Sequence, residues 1–314
     1  MLVSRGPGRR TLGLTLDDLL PRMYPVDAFP GFVPRFGLYQ HHTYVVLDTH
    51  FEDRVSSSIS RKWRSRDGNT DFDITINVSE TPAIAREGME KYLFLANTTP
   101  QRPTGLGDAC ILFPSPNSPS YKVAIGRVNL LLSVSSKTVK DGNAYRLVGV
   151  EPYGLAVALL RGLEFSLRGD RLIQGTPALP QGAVGAATAG ALAAAATGAV
   201  SAAAPPPLPA DQQATTLGDQ AWLPLTAFAV PGAGVRYDRQ TLRVELTYQG
   251  RSVSGVLLQP VLECGGERET LSQPLLLSPT GPVLPVEPVA RLLGMATETL
   301  PGGGLALSGK TSAK

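Results

Sequence analysis

A charge-free tract near the middle of the chain is the feature that most limits how these 314 residues can fold. Residues 172–210 contain no Asp, Glu, Lys or Arg, consist mainly of Ala, Gly and Pro, and end in a proline run at 205–209. Such a segment has few large apolar side chains to offset the entropy lost on folding, and a proline run is stiff and extended. We therefore predict a semi-rigid linker over residues 172–216 between two folded parts, residues 11–171 and 217–309.

The centre of this tract, residues 183–200, is uncharged and long enough to raise a second interpretation, a membrane-spanning helix. Only Val184, Leu192 and Val200 are strongly apolar there, and no cluster of Lys or Arg flanks the segment. The composition therefore favours a linker, and we expect no transmembrane span.

The first folded part, residues 11–171, combines patterns typical of strands with patterns typical of helices. Strand patterns occupy residues 35–51, 55–66, 72–78, 109–113, 121–125 and 129–134. An Asp-Gly-Asn turn at 67–69 joins the second of these to the third. Thr81 and Pro82 predict the start of one helix, and Pro152 predicts the start of another. Runs of strands with separate helices indicate an α+β fold, in which helices pack on antiparallel sheets.

The second folded part contains a loose internal repeat. The segment at 221–228 recurs in outline at 281–290, and each copy joins a short extended stretch to Leu-Pro. The proline ends a strand and sets the backbone angle that a following short helix needs. Each copy then continues through glycine into strand patterns, at 241–248 in the first and 305–307 in the second. We predict a shared unit of helix, glycine-centred turn and β-hairpin.

This order of Leu-Pro, short helix, glycine, strand, turn and strand resembles the copper amine oxidase N-terminal-like domain, a small α+β stalk module of exported bacterial proteins. The resemblance covers residues 217–309 and implies a spacer or interaction module. The chain has no His-x-His pair and no Asn-Tyr-Asp or Asn-Tyr-Glu sequence. These motifs supply the copper ligands and the quinone precursor in the catalytic part of those oxidases, so the resemblance implies no copper.

A segment of the first folded part resembles exported bacterial lipoprotein domains of the Mog1/PsbP-like class. The resemblance rests on Gly105-Leu106-Gly107-Asp108-Ala109 leading into a strand, on a hairpin around residues 126–132, and on a closing helix. Val128 interrupts the usual Gly-Asn pair, and the lipobox cysteine of such lipoproteins is absent near the start. Both resemblances imply the same location, extracellular or in the cell envelope.

The beginning of the chain does not itself contain a readable export signal. Arg9 and Arg10 superficially match a twin-arginine signal, but Asp17 and Asp18 fall where the apolar region of such a signal should be. Whether an export signal precedes Met1 stays open.

Charge and cysteine content exclude several classes of protein. The formal net charge is only +3, whereas a dedicated nucleic-acid binder needs a much larger basic excess, so we expect no nucleic-acid partner. The two cysteines, Cys110 and Cys264, lie in different halves and form neither a disulfide framework nor a zinc motif. A single buried thiol in each half is the favoured interpretation, and a bridge between the halves is the alternative.

Candidate chemistry is sparse. The three histidines, His41, His42 and His50, fall within ten residues, but His42 and His50 on one extended strand would lie about 26 Å apart, so we predict no metal site. Gly105-x-Gly107 precedes a strand rather than a helix, which favours a turn over a phosphate-binding loop. No Gly-x-Ser-x-Gly motif is present. We therefore expect no enzymatic activity and no cofactor.

The densest charge feature lies at residues 61–66. We nominate five of its members as binding residues: Arg61, Lys62, Trp63, Arg64 and Arg66. If the segment is a strand, Lys62, Arg64 and Arg66 face one way while the intervening side chains face the other. Two interpretations are open: an exposed edge strand whose charges prevent edge-to-edge pairing, or a surface that binds an anionic partner.

These observations lead to one main functional hypothesis with two alternatives. The main hypothesis is a non-enzymatic, exported cell-envelope protein whose N-terminal part recognises an envelope polymer or a protein partner, while the C-terminal part acts as a stalk. One alternative is a periplasmic or extracellular protein that binds a small ligand. The other is an enzyme of unrecognised type. The oligomeric state is not predicted.

Overall fold

Antiparallel strands make up the larger part of the protein, and a few helices pack against them, so the predicted α+β fold class is confirmed. The computed structural model describes residues 12–48, 51–90, 98–142, 144–174, 214–299 and 305–309.

Six strands of the N-terminal part form one antiparallel sheet in the order β1-β2-β3-β6-β5-β4. Their bounds are Phe32–Asp48 (β1), Phe51–Ser65 (β2), Thr70–Ser79 (β3), Ala109–Phe113 (β4), Ser120–Ile125 (β5) and Val128–Ser136 (β6). A separate two-stranded hairpin follows, with β7 at Thr138–Asp141 and β8 at Ala144–Leu147.

The period of two in the sequence sets the two faces of this sheet. Along β3, Phe72, Ile74 and Ile76 are buried, while Asp71 and Asp73 alternate with them on the other face. Since neighbouring strands are paired in register, the apolar residues of β2, β3, β6 and β5 form one continuous inner face.

Helices cover both faces of the sheet. The helices of the N-terminal part are α1 at Leu16–Leu19, α2 at Pro82–Glu90, α3 at Pro152–Arg168 and α4 at Arg171–Gln174. Helix α2 begins as predicted, since the Thr81 hydroxyl accepts from the Ile84 amide, and it packs on the outer face at β5 and β6. The apolar spacing from Ile84 to Ala96 predicts that this helix continues past Glu90, and that continuation lies outside the described residues. Helix α3 packs on the inner face.

The C-terminal part contains two further sheets, a hairpin and one helix. The strands are β9 at Thr215–Leu217, β10 at Gln220–Pro224, β11 at Ala233–Asp238, β12 at Arg243–Tyr248, β13 at Arg251–Val256, β14 at Val261–Cys264, β15 at Glu267–Thr270, β16 at Leu276–Ser278, β17 at Gly281–Pro285, β18 at Met295–Thr299 and β19 at Leu305–Gly309. Strands β16-β17-β10-β9 form one sheet, β11 to β15 form another in sequence order, and β18 pairs with β19.

The two segments of the predicted internal repeat contain the same order of elements. Strand β10 leads into a short 3-10 helix at Leu225–Phe228 and the β11-β12 hairpin, and β17 leads into α5 at Val286–Leu293 and the β18-β19 hairpin. The two copies pair with each other, because β10 and β17 are antiparallel neighbours. Gly294 ends α5 with a φ of 72°, a left-handed angle that favours glycine.

Helix α3 lies between the two folded parts and is buried on nearly all sides. It contacts β5 and β6 on one side and β16 on the other. A Cβ atom added at Gly162 would overlap the Leu277 carbonyl oxygen, so only glycine allows this approach of helix to strand. The buried Tyr24 hydroxyl lies 3.0 Å from the Leu159 carbonyl oxygen and 2.6 Å from that of Leu277. One continuous apolar core therefore joins both parts.

The predicted linker falls largely outside the described residues. The described residues before it include α4, where Ile173 is buried and its carbonyl accepts from the Arg127 amide at 2.9 Å, and those after it include β9. The candidate membrane segment at 183–200 also lies outside the described residues. No helix in the described ranges is long and apolar enough to cross a membrane.

Candidate functional site

The register of β2 separates the nominated binding residues into two groups. Lys62 and Arg66 are exposed and Arg64 is half-buried, as the alternation predicts. Arg61 and Trp63 point the other way and are 5% and 0% exposed, so including these two in a binding surface was wrong. An alternating strand on a packed sheet must bury every second side chain, whatever its charge.

An aromatic cluster on the inner face explains the burial of Trp63. Its ring stacks on Phe72 with 4.9 Å between centroids, and Phe29 meets both rings edge-on at 5.5 and 5.2 Å. The Arg61 guanidinium lies over the Trp63 ring at 5.7 Å and donates to the Tyr24 carbonyl oxygen at 2.5 Å. This hydrogen bond and the cation–π contact compensate the buried charge of Arg61.

The edge-strand interpretation of residues 61–66 is wrong. Strand β2 pairs with β1 on one side and with β3 on the other, so its backbone is not open to another chain at this segment. The sequence did not show this, because strand order depends on contacts between distant segments. The outward-facing cations therefore stand on the face of a sheet.

Asp71 organises part of this outer face. Its carboxylate accepts from Arg64 Nε at 2.8 Å and Nη2 at 3.1 Å, and from Arg35 Nη1 at 3.3 Å. The hydrogen bonds from Arg64 hold the pKa of Asp71 below its usual value, and the positive charges of Arg64, Arg35 and Lys137 act in the same direction. Half of the charge on this pair of arginines is thus neutralised within the protein.

The neighbouring cross-strand pair joins an exposed lysine to a partly buried carboxylate. Lys62 lies directly opposite Asp73 in the β2-β3 register. Burial raises the pKa of Asp73, and the nearby charges of Lys62 and Arg35 oppose that rise. Arg66 is exposed beyond the end of β2, and Lys137 is exposed at the end of β6, next to the β2-β3 turn.

We call this surface the basic face. It comprises the cations Arg35, Lys62, Arg64, Arg66 and Lys137 together with the carboxylates Asp67, Asp71 and Asp73. Five positive charges meet three negative charges, so the surface keeps a moderate positive excess. It can hold an anionic group by several weak contacts acting together.

A second ionic cluster lies inside the protein, on α3. The Glu164 carboxylate accepts from Arg161 Nη1 at 3.1 Å, from Arg168 Nη2 at 2.6 Å and from the Gly107 amide at 3.1 Å. Asp108 accepts from Arg168 Nη1 at 3.1 Å and from the Gly126 amide at 2.7 Å.

We call Asp108, Arg161, Glu164 and Arg168 the buried ionic cluster. The side chains of Arg161 and Glu164 at its centre are only 9% and 4% exposed, whereas those of Arg168 and Asp108 at its edge are 31% and 37% exposed. Both carboxylates are occupied by donors of the protein itself, and these contacts fasten the 105–108 loop and the β5-β6 turn to α3. The geometry supports a structural role.

The glycine pair of the 105–108 loop serves this packing. Gly105 and Gly107 have φ angles of 80° and 61°, and a Cβ at Gly107 would lie 2.6 Å from the Ala124 carbonyl oxygen. The predicted turn is confirmed. The Gly107 amide donates to the Glu164 carboxylate of the protein itself, so this donor is already used internally.

The two cysteines are free thiols. Cys110 is buried beside the buried ionic cluster, and Cys264 is partly exposed. Burial, reinforced by the negative charge of Glu164, raises the pKa of the Cys110 thiol to about 12. At neutral pH this thiol is therefore protonated and unreactive.

The histidine segment forms part of β1, where His41 and His42 pair with Ile59 and Ser58 of β2. His50 lies outside the described residues. Within the described ranges, no group of three or more His, Cys, Asp or Glu side chains is placed to hold a metal ion.

A small, partly open pocket lies between the two folded parts. Its volume is about 60 Å³, and its polar lining includes Asp27, Tyr237, Arg239, Ser278 and Thr280. This space holds roughly two water molecules, whereas drug-sized ligands occupy about 300–1,000 Å³. A larger depression of about 610 Å³ on the face of β12 to β15 is open and lined by charged and small residues.

Sequence reasoning missed two contributors to the basic face, Arg35 and Lys137, because each lies far along the chain from residues 61–66. It also missed the β7-β8 hairpin. The signal for that hairpin was present, since Asp141-Gly142-Asn143 separates two short polar stretches of strand-forming length.

Comparison of the chain with protein-family models, with curated proteins and with solved structures finds no significant match.

Proposed function

We propose that this chain is a non-enzymatic binding protein of the bacterial cell envelope, whose six-stranded sheet recognises an anionic partner and whose C-terminal part acts as the stalk. One observation carries the proposal: Lys62 and Arg64 share the outer face of an interior strand, and Arg66, just past its end, lies with Arg35 and Lys137 beside them. The envelope location follows from the two family resemblances of the sequence.

The layer order supports this division of roles. The C-terminal part packs on α3, and α3 packs on the inner face of the sheet. The basic face is on the outer side of the same sheet, away from the C-terminal part. A stalk attached in this way leaves the recognising surface free and holds the sheet firmly from behind.

The charge pattern favours an extended anionic polymer over a small anion. Arg64 and Arg35 share Asp71, so neither presents a full free charge. Affinity then depends on several partly compensated charges spread along the face. Such binding weakens steeply as salt shortens the Debye length, which is about 8 Å at physiological ionic strength.

The test compares two variants with the same loss of charge. Lys62→Ser/Arg64→Ser/Arg66→Ser should lose salt-sensitive retention on immobilised polygalacturonate or teichoic acid, with a nearly unchanged melting temperature, because exposed charges contribute little to stability. The control Arg236→Ser/Arg239→Ser/Arg268→Ser removes three exposed cations of the C-terminal part and should keep retention. Equal retention of both triple variants, or equal loss, would contradict a specific basic face.

A further inference from the structure

The β7-β8 hairpin projects from the end of β6 as a sheet of its own. Every described residue of its two strands is exposed except Leu147, which is half-buried. Tyr145 is 74% exposed and Val139 is 41% exposed. A two-stranded ribbon is marginally stable in water, and three or more strands are normally needed. Each outer edge of this hairpin can therefore pair with a further strand.

The turn defines which backbone groups are unused. Asp141 and Ala144 are paired and are separated by two residues of the sequence. In such a hairpin the pair next to the turn exchanges backbone hydrogen bonds. Along each strand, residues that bond to the partner strand then alternate with residues whose N–H and C=O groups point outward. The Val148 amide donates to the Lys137 carbonyl at 3.0 Å, as this alternation requires. The N–H and C=O groups of Thr138 and Lys140 therefore point outward on one edge, and those of Tyr145 and Leu147 on the other.

The base of the hairpin is held in one position. The Lys137 amide donates to the Asn69 carbonyl at 2.8 Å, the Ser136 hydroxyl to the Val150 carbonyl at 2.6 Å, and the Val150 amide to the Thr70 hydroxyl at 2.9 Å. These contacts fix both strands to the β2-β3 turn. A partner strand would thus meet a preorganised edge, at a reduced entropic cost.

The side chains add charge and apolar area to both faces of the ribbon. Tyr145 lies opposite Lys140, and Val139 lies opposite Arg146. Each face therefore presents one apolar side chain beside one cation. Asp141 is the acid next to the turn, so the net charge of the hairpin is positive.

We propose that this hairpin is a docking edge for an extended, acidic segment of a protein partner, which adds a third strand. The open backbone groups bind the peptide backbone, the cations Lys140 and Arg146 bind its carboxylates, and Tyr145 and Val139 cover its apolar side chains. A polysaccharide or a lipid surface offers no strand backbone, and Asp141 at the tip opposes insertion into an anionic bilayer. The proposal concerns a surface separate from Lys62, Arg64 and Arg66, and it stands or fails independently of the proposed function.

The experiment uses the full chain and a synthetic peptide of about eight residues that repeats Glu-Glu-Val-Val, so that an extended strand presents both Glu and Val on each face. Titration calorimetry should detect binding, and hydrogen exchange should show slower exchange in residues 138–147. The same peptide N-methylated at every residue keeps the charges and side chains but has no backbone donor, and it should not bind.

Matched variants identify the edge. Tyr145→Pro removes an outward N–H that the hairpin does not use, whereas Tyr145→Ala removes the side chain alone. The variants Lys140→Pro and Lys140→Ala test the other edge in the same way. On the edge that pairs, the proline variant should bind about fivefold or more weakly than the alanine variant. Circular dichroism confirms that each variant is folded.

Three results would overturn the proposal: no binding of the Glu-Val peptide, equal binding of its N-methylated form, or equal affinity of the proline and alanine variants on both edges. Binding to phosphatidylglycerol vesicles that requires Tyr145, without peptide binding, would assign the hairpin to a membrane surface instead. Retention on polygalacturonate by the basic face would be unaffected by any of these results.

Discussion

Two clusters of arginines and carboxylates in this protein have similar composition and opposite surroundings. In the buried ionic cluster, Arg161 and Arg168 flank Glu164, which is almost inaccessible to water. On the basic face, Arg35 and Arg64 flank Asp71, whose side chain is 30% exposed. The same ion-pair chemistry therefore fastens one region and leaves the other available to a partner.

The difference comes from what covers each cluster. The C-terminal part and the sheet enclose α3 from two sides, so the charges on α3 must be satisfied inside the protein. Helix α2 contacts β3, β5 and β6 on the outer face, while Lys62 and Arg66 stay exposed. Burial, rather than residue type, decides which cluster is structural and which can bind.

The largest expected effect is in the buried ionic cluster. Glu164→Gln keeps the shape of the side chain but leaves Arg161 and Arg168 without their shared negative charge. Breaking a buried pair in this way costs about 3–5 kcal/mol, because the remaining charge stays desolvated. Urea unfolding of the wild type and the variant at neutral pH measures the difference. A cost below about 1 kcal/mol would place this cluster in the same energetic class as an exposed pair.

Cys110 reports on the same region without perturbing it. With a pKa raised to about 12 by burial and by Glu164, its thiolate fraction at pH 8 is about a thousandfold smaller than that of an ordinary thiol. In a Cys264→Ser variant, Cys110 should therefore react with a disulfide reagent about a thousandfold more slowly in the native state than in urea. Rapid native labelling would show that water reaches the buried ionic cluster.

Elements that depend on neighbours in the sequence were predictable, whereas contacts between distant segments were not. The alternation of residues 72–78, the cap at Thr81 and the proline at 152 depend on neighbours in the sequence, and each predicted element is present. The charges at 161, 164 and 168 follow helical spacing and would lie on a solvated stripe in an isolated helix. The structure instead places them against the 105–108 loop, far along the chain, and no local pattern contains that contact.

The candidate site also has a predictable part and an unpredictable part. The outward direction of Lys62, Arg64 and Arg66 follows from the period of a strand and was predictable. The interior position of β2 was not predictable, because it requires the long partner strand β1. The contribution of Arg35 and Lys137 was not predictable either, because other strands bring them to the same face.

The smallest expected effect is on the basic face, where Asp71→Asn should cost only about 0.2–1 kcal/mol at neutral pH. Hydrogen bonds from Arg64 lower the pKa of Asp71 in the folded state, so its contribution is present above the unfolded pKa and is lost as pH falls through the lower folded pKa. The stability difference between wild type and variant should therefore disappear once the pH falls below the folded pKa of Asp71, and it should shrink in about 1 M salt.

Asp71→Asn also links stability to binding on the basic face. The substitution frees Arg64 and Arg35 from their shared carboxylate, so retention on polygalacturonate should increase even though the fold becomes slightly less stable. A loss of retention would indicate that Asp71 positions Arg64 for the partner instead of competing with it. A destabilisation above about 2 kcal/mol would remove the energetic contrast between the two clusters, because exposed pairs do not contribute that much.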